Sequence, residues 1–274
     1  MMPELPEVEQ VKKTLYPHVV GKKINAVEVR LPRLIQYPNA EIFAEKLRGR
    51  TITSIDRKGK YLRLNLDKDL YLLVHLRMTG ALLAVKKMMA EPLYAKIKFV
   101  LTGDEDLWFT DIRTFGTLYL IDHNDKSVEG YATLGPEPLS KELTVDYLGA
   151  ICSKKSAAIK GVILDQKVIA GLGNIYADEA LFAAGILPQR PANSLNKADI
   201  ARLIEAVNAV IAQGIKNHGT TFRNYQDADG NQGDNVKHLF VYGRKGEKCK
   251  VCGETLCGLK VAGRGSTYCS KCQR

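Results

Sequence analysis

The sequence predicts an α+β protein of several domains: a helix and a two-layer β-sandwich, then a helical region, then a short hairpin rich in cysteine. Three observations predict this order. Hydrophobic residues alternate with a period of two over residues 22–122, and recur at helical spacing over residues 159–211. Five of the six cysteines lie between Cys249 and Cys272. At 274 residues the chain also exceeds the usual size of one domain.

The first element is a helix that begins close to Pro3. Val8, Val11, Leu15 and Val19 repeat at the spacing of one helix face. A proline near the start and acidic residues in the first turn suit the missing N–H and the helix dipole.

The next hundred residues are predicted to form half-buried strands. In YLRLNL (residues 61–66) the leucines occupy one face, and in AKIKFVL (residues 95–101) Ile97, Phe99 and Leu101 alternate with lysines. Strands of this kind pair into two sheets that bury their apolar faces against each other, so we expect a sandwich closed by the first helix.

The segment LGPEPLS (residues 134–140) is rich in proline and glycine and indicates a linker. Beyond it the helical spacing begins, and IYADEALFAAG stops at Gly185 with Pro188 close behind. We therefore predict domains over residues 1–133, 151–235 and 236–274, with a linker over residues 134–150.

The charge of the chain favours a polyanionic partner. Forty lysines and arginines stand against thirty aspartates and glutamates, which gives a formal net charge of +10. The acidic, proline-containing start does not resemble a secretion signal, and no apolar stretch is long enough to span a membrane. We expect a cytoplasmic protein with no membrane partner.

The cysteine pattern predicts one structural zinc ion. Two CxxC pairs, Cys249/Cys252 and Cys269/Cys272, are separated by sixteen residues, a spacing that can place four thiolates around Zn²⁺. The alternative is two disulfides, which an unexported protein disfavours. Four cysteine ligands leave no open position, so the metal is expected to hold the segment folded. Between the pairs, Arg264 lies on a metal-held loop, where a guanidinium suits a phosphate or a base edge.

Several segments together resemble bacterial formamidopyrimidine-DNA glycosylases. PELPEVE, RKGKYL, HLRMTG, DIRTFG, LDQKVIAGLGNIYADEALF and the terminal cysteine finger occur in that family's order over essentially the whole chain. The resemblance implies a bifunctional base-excision-repair enzyme that removes 8-oxoguanine and formamidopyrimidines from duplex DNA and cuts the abasic strand by β,δ-elimination. A monomer that wraps the DNA is the simplest interpretation.

The resemblance assigns the catalytic chemistry to the start of the chain. Family members use the amine of an N-terminal proline, matched here by Pro3, to attack the sugar and form a Schiff base. Glu4 would be the acid/base on the sugar ring. Glu7 matches a further acidic position. The family begins Met-Pro, whereas this chain begins Met1-Met2-Pro3, so Pro3 acts only if both methionines are absent.

Further positions are matched in the strand-rich region. We count Lys60, which the resemblance places on phosphates beside the lesion, and Arg264 among the catalytic residues. His75 is equally consistent with a phosphate contact and with a satisfied strand histidine. An enzyme that flips a base out of the duplex must fill the gap. Met78 and Phe115 match the family's wedges, and Arg113 matches its contact to the orphaned cytosine.

The GLGN stretch lacks the third glycine of a dinucleotide-binding loop, and the resemblance implies a helix–two-turn–helix instead. There Asn174 and helix amides would hold a phosphate, with help from Lys160. The long loop TTFRNYQDADGNQGD would close over the lesion, with Arg223 and Tyr225 as candidate contacts. Tyr242 is a candidate phosphate contact.

Two alternatives remain open from the sequence. The chain could be the sister enzyme for oxidised pyrimidines, although that enzyme's opening usually reads PEGPE rather than PELPE. It could also be a non-catalytic zinc-ribbon protein that binds damaged DNA.

Overall fold

The structure, a computed structural model, describes residues 3–122 and 128–274. Met1 and Met2, on which the availability of Pro3 depends, lie outside the described residues. The chain divides into two compact units. The first runs to Ala132 and also contains Asn217–Asp234; the second contains Thr133–Lys216 and Asn235–Arg274.

The first unit contains the predicted sandwich. Its helices are α1 (Leu5–Val19), α2 (Ala40–Leu47) and α3 (Glu129–Ala132). Its strands are β1 (Ile24–Val29), β2 (Ile35–Tyr37), β3 (Ile52–Lys58), β4 (Tyr61–Leu66), β5 (Leu70–His75), β6 (Gly80–Lys86), β7 (Ala95–Leu101), β8 (Glu105–Asp111) and β9 (Thr117–Asp122). One sheet has the order β2-β9-β5-β4-β3 and the other β1-β7-β8-β6. Only the β2–β9 pair among these is parallel.

The apolar residues that alternate along the sequence are those that the strands bury. Leu62 and Leu64 of β4 and Ile97 and Phe99 of β7 are all fully buried in one core. The apolar face of α1 joins that core through the predicted residues, Val8, Val11, Leu15 and Val19. The predicted β-sandwich with its N-terminal helix is therefore confirmed.

The segment 217–234, predicted as part of the helical domain, belongs to the first unit and lies along α1. Ala228 is buried in the sandwich core, and its backbone N–H donates to Thr14 Oγ1 at 3.1 Å. Near the end of α1, His18 contacts Glu105 through Nδ1 and Asp229 through Nε2, each at 2.8 Å. The helix that follows Pro3 and Glu4 therefore also supports this loop.

The His18 contacts predict a pH-dependent stability. Both ring nitrogens face carboxylates, which only accept, so both contacts are hydrogen bonds when the ring is the doubly protonated imidazolium. Burial alone would lower the pKa of His18, but hydrogen bonds to and charges on Glu105 and Asp229 outweigh it and raise the pKa. The stabilisation is therefore fully present below about pH 6.5, the unfolded value, and is lost as the pH rises through the raised pKa.

We expect His18→Gln to lower the free energy of unfolding by on the order of 0.5–1 kcal/mol at pH 5.5, since the pair is partly exposed to solvent. At pH 8.5 the difference from the parent protein should shrink. Urea denaturation at both pH values measures this. An equal difference at the two pH values would contradict the bridging role.

The second unit is helical and ends in the cysteine hairpin. Its elements are α4 (Val145–Cys152), α5 (Ile159–Leu164), α6 (Asn174–Ala183), α7 (Lys197–Lys216), β10 (Cys257–Val261) and β11 (Arg264–Tyr268). The predicted linker over residues 134–150 is not all loop, because α4 begins at Val145 and buries Leu148 and Cys152. Among the residues the structure describes, no helix is both long and apolar enough to cross a membrane.

Candidate functional site

Pro3 and Glu4 lie buried immediately before α1. The backbone N–H of Glu4 donates to Glu7 Oε2 at 2.8 Å, which fixes the chain entering the helix. The other oxygen of Glu7 accepts from the backbone N–H of Thr220 at 2.7 Å. The role of Glu7 was left open by the sequence. Its one buried carboxylate connects the residues before α1 to the 217–234 loop.

Lys60 lies in the tight turn between β3 and β4, where Gly59 adopts a positive φ of 59°. Only 4% of Lys60 is exposed. Arg57 holds this turn to α1: its Nε donates to Glu9 Oε2 at 2.8 Å and its Nη1 to the Gly59 carbonyl at 3.2 Å. No sequence pattern indicated this pair, because its members are forty-eight residues apart.

Glu9 is held ionised by this pairing. Burial raises its pKa, but the hydrogen bonds and charges of Arg57 and Lys12 outweigh burial and lower the pKa below its usual value. The carboxylate therefore stays charged at neutral pH and keeps its ion pair with Arg57.

His75 is placed as a buried, neutral strand histidine. Its Nδ1 accepts from the backbone N–H of Arg77 at 3.0 Å, and its ring lies edge-on to Tyr61 with centroids 4.5 Å apart. Burial, helped by the charges of Arg77 and Lys60, lowers the pKa of His75 to about 3. Because Nδ1 accepts, the proton of the neutral ring lies on Nε2, a donor that a phosphate could accept from, so both interpretations stay open.

Met78, Arg113 and Phe115, predicted as the gap-filling trio, come together at one surface. Arg113 Nη1 lies 3.2 Å from Met78 Sδ, and its guanidinium stacks on the Phe115 ring at 4.9 Å from the centroid. Phe115 is 49% exposed although it belongs to a β-rich unit with a well-filled core. An exposed aromatic ring beside a cation suits insertion into a base stack.

A buried carboxylate shapes the loop that presents this trio. Asp111 Oδ1 accepts from Thr79 Oγ1 at 2.5 Å and from the Arg113 N–H at 3.2 Å, while Oδ2 accepts from the Gly116 N–H at 2.8 Å. Any Cβ at Gly116 would lie 2.5 Å from Phe109 Cζ, so only glycine fits there. Asp111 was not predicted as a site residue, although it is the first residue of the DIRTFG segment.

We expect Asp111→Ala to lower the free energy of unfolding by about 1–3 kcal/mol, because it leaves the buried Gly116 N–H without its acceptor. The loop carrying Arg113 should then lose its fixed shape. Urea denaturation measures the first effect and proteolysis at Arg113 the second. A variant as stable and as protease-resistant as the parent would show that Asp111 does not frame the loop.

The two candidate contacts of the 217–234 loop are placed differently. Arg223 is exposed and available to a ligand. The Tyr225 hydroxyl lies 3.2 Å from the carbonyl oxygens of Glu7 and His218, and its ring packs against the sandwich core. As placed, Tyr225 does not fit a direct lesion contact, because its hydroxyl anchors the loop to α1.

In the second unit, Asn174 is the first residue of α6, so its side chain lies at the positive end of the helix. This arrangement suits an anion. Lys160 does not fit the predicted phosphate contact: it is fully buried, and its ammonium bonds to Asp178, Ser266 and the Gly265 carbonyl. The sequence pattern could not show this, since those partners lie up to 106 residues away.

Tyr242 lines an open groove of about 600 Å³ together with Asn174, Lys260 and Gly265. Its segment is held by Glu179, whose buried carboxylate accepts from the backbone N–H groups of Phe240, Val241 and Tyr242. Burial raises the pKa of Glu179 even though those hydrogen bonds oppose it. Arg264 is exposed where β11 begins, after a two-residue turn.

The four predicted ligand cysteines meet at the base of the β10–β11 hairpin. The sulfur atoms of Cys249, Cys252, Cys269 and Cys272 all lie within 4.8 Å of one another. A tetrahedral Zn–S distance of about 2.3 Å requires sulfurs about 3.8 Å apart. The Cys249–Cys272 and Cys252–Cys269 separations are 3.9 and 3.4 Å. All four thiols are unbridged, so the donor set fits one structural zinc ion, and the disulfide alternative is wrong.

Comparison with known proteins agrees with the geometry of both units. Residues 2–118 match the model of the formamidopyrimidine-DNA glycosylase N-terminal domain, and residues 134–226 match that of its H2TH domain. Residues 246–274 match a zinc finger found in FPG and IleRS.

Individual relatives match over nearly the whole chain. The formamidopyrimidine-DNA glycosylase of Moorella thermoacetica is 48% identical over 93% of each chain, and that of Geobacillus kaustophilus is 43% identical over 100% of each. A Lactococcus lactis FPG mutant in complex with Fapy-dG containing DNA superposes with a TM-score of 0.93 at 35% identity, covering 99% of this chain and 100% of that one. The Lactococcus lactis complex with abasic-site DNA gives 0.92, covering 99% of each chain at 35% identity.

Proposed function

The chain belongs to the formamidopyrimidine-DNA glycosylase family, and from that premise we propose that it excises oxidised purines from duplex DNA through the nitrogen of Pro3. The observation that carries the proposal is the pair Pro3-Glu4, buried at the start of α1 within a matched family domain. It is a DNA glycosylase with AP lyase activity, as members of the family are.

The chemistry needs an amine that is partly unprotonated near neutral pH. An α-amino group has a reference pKa of about 7.7–8.0, whereas a lysine lies near about 10.4. Pro3 supplies such a group once it is the terminal residue. The hydrogen bond from the Glu4 N–H to Glu7 supports the proposal, because it holds the adjacent peptide still while the nitrogen reacts.

The proposed reaction begins with attack of the Pro3 nitrogen on sugar C1′. The bond from C1′ to the base breaks, and the base leaves with the electron pair and takes up the proton released by the Pro3 nitrogen. Glu4 then donates a proton to the ring oxygen as the C1′–O4′ bond opens. The resulting iminium acidifies the C2′–H bond. Loss of that proton expels the 3′ phosphate, and a second elimination expels the 5′ phosphate. The burial of Glu4 directly after Pro3 supports this assignment, because it holds the carboxyl beside the nitrogen that attacks.

The enzyme can reach the damaged base only after that base has left the base stack of the duplex. Met78 and Phe115 are proposed to fill the gap and Arg113 to contact the orphaned base, and their clustering supports these roles. Lys60, Asn174, Tyr242 and Arg264 are proposed phosphate contacts, and Arg223 a contact of the loop that closes over the lesion. The net charge of +10 supports duplex binding.

A substrate comparison tests the proposal against the sister activity. The protein is incubated with duplexes carrying 8-oxoguanine opposite cytosine or thymine glycol, and single-turnover excision is measured. We expect faster turnover of 8-oxoguanine. Faster release of thymine glycol would replace this function with the oxidised-pyrimidine activity, and binding without any excision would indicate the non-catalytic DNA-binding protein.

The relatives are bacterial proteins. We place this protein with the chromosomal DNA in the bacterial cytoplasm, where its proposed substrate is found. Fractionation with and without nuclease treatment of the lysate tests this placement.

A further inference from the structure

A buried ion pair lies under the tip of the zinc-finger hairpin. Lys160 of α5 and Asp178 of α6 are 0% and 2% exposed, and their Nζ and Oδ1 atoms are 2.7 Å apart. The proposed chemistry uses neither residue. A buried ion pair is weak evidence for stability, because desolvation of the two charges offsets their attraction. The pair therefore calls for another explanation.

Further hydrogen bonds of the pair go to three consecutive residues of β11. Lys160 Nζ donates to the Gly265 carbonyl at 2.9 Å and to Ser266 Oγ at 2.7 Å. Asp178 Oδ2 accepts from the Thr267 N–H at 3.0 Å. Asn174 Nδ2 adds a further bond to the Gly265 carbonyl at 3.1 Å. These contacts begin directly after Arg264.

The β10–β11 hairpin has only two strands to hold its tip in place. An isolated two-stranded hairpin is marginally stable. Its turn, Ala262-Gly263, has two positive φ angles, 48° and 75°. A Cβ at Gly161 of α5 would lie only 3.1 Å from Ala262 Cβ, so α5 packs closely under this turn.

We propose that Asp178, acting through Lys160, is a positioning residue that fixes the start of β11 so that Arg264 meets DNA in one place. Asp178 aligns the Lys160 ammonium, and the ammonium holds the two residues that follow Arg264. This inference rests on the proposed DNA-binding function of the hairpin. It assigns the buried Lys160–Asp178 pair a role in that function.

The direction in which DNA affinity changes when Asp178 is replaced distinguishes a positioning role from a simple charge effect. Asp178 lines the groove that also contains Asn174, Tyr242 and Lys260. Removing a negative charge from a DNA-binding groove should tighten binding to a polyanion. Positioning predicts the opposite, because an unfixed Arg264 contributes less.

The test uses full-length, zinc-loaded protein and a duplex with an uncleavable abasic-site analogue. We expect Asp178→Asn to weaken binding roughly tenfold and to make the log–log salt dependence shallower by about 0.9, as the loss of one phosphate contact does. Arg264→Ala should do the same, and the double variant should bind no more weakly than Arg264→Ala alone. Binding that is unchanged or tighter in Asp178→Asn, or additive loss in the double variant, overturns the proposal.

Two further measurements separate positioning from general damage. Hydrogen exchange of the DNA-free protein should be faster at residues 264–267 in Asp178→Asn, with zinc content unchanged; unchanged exchange there contradicts the proposal. The matched control is Asp199→Asn, which removes a buried carboxylate paired with Arg190 and Arg202 in the same unit and should leave binding unchanged.

If Asp178→Asn folds poorly, the swap of Lys160→Met with Asp178→Leu removes both charges together, a change that buried pairs often tolerate. It should fold, keep zinc and still show the weaker binding; wild-type binding overturns the proposal. Schiff-base trapping is measured in the same samples. Its absence from the parent protein would remove the Pro3 account and leave the binding comparison valid.

Discussion

Glu4→Gln is expected to lower excision of 8-oxoguanine by about 10²–10⁴-fold, the contribution typical of a positioned acid or base. Glutamine has nearly the same shape, so the entry into α1 should be kept. It cannot deliver a proton to the ring oxygen. Because only 2% of Glu4 is exposed, water has little access to replace it.

The substrate decides how large the loss is. A preformed abasic site opens its sugar ring spontaneously in solution, so it needs less help from Glu4. We therefore expect a much smaller loss for strand cleavage at an abasic site than for excision of the intact lesion, both measured in single turnover. Glu41→Gln, an exposed position at the start of α2, is the matched control. Equal losses on the two substrates would contradict the assigned role.

Removal of zinc is expected to abolish tight DNA binding, with a loss of at least on the order of a hundredfold. The core around the hairpin is small: Phe182, Val241, Cys249, Leu256 and Cys269 are its buried members. Without the metal this core cannot hold β10 and β11, and Arg264 is lost with them. The β-sandwich of the first unit has its own core and should stay folded.

Cys249→Ser and chelation of the native protein both test this expectation. Zinc content, duplex binding and near-UV circular dichroism are measured, and binding should return when zinc is restored to the chelated protein. Cys257→Ser is the matched control, because this thiol lies in the same hairpin but outside the four-cysteine cluster. A Cys249→Ser protein that binds DNA normally would show that the metal is not needed.

Features encoded locally were predictable from the sequence. The strands of the sandwich follow from period-two alternation, and the metal centre follows from two CxxC pairs whose four sulfurs do converge. The clustering of Met78, Arg113 and Phe115 was expected from the family resemblance. In the first two cases a short segment carries its own signal, either a repeat or a fixed spacing.

Features that depend on distant partners were not predictable. Lys160 has the positive charge that a phosphate contact needs, but its side chain is fully buried and its ammonium bonds to Asp178 and Ser266. Tyr225 was proposed as a lesion contact because it lies in a long polar loop, yet its hydroxyl bonds to the α1 backbone. Burial is decided by the packing of whole elements, and a single polar residue carries no trace of it.

The most direct test of the account is reductive trapping with two forms of the protein. One form has Pro3 as its terminal residue, confirmed by mass, and the other keeps Met2 attached. Each is mixed with 8-oxoguanine duplex and borohydride. The account predicts a covalent protein–DNA adduct with the first form and none with the second, because an acylated proline nitrogen cannot form an iminium. No adduct with free Pro3, or equal adducts with both forms, would contradict it.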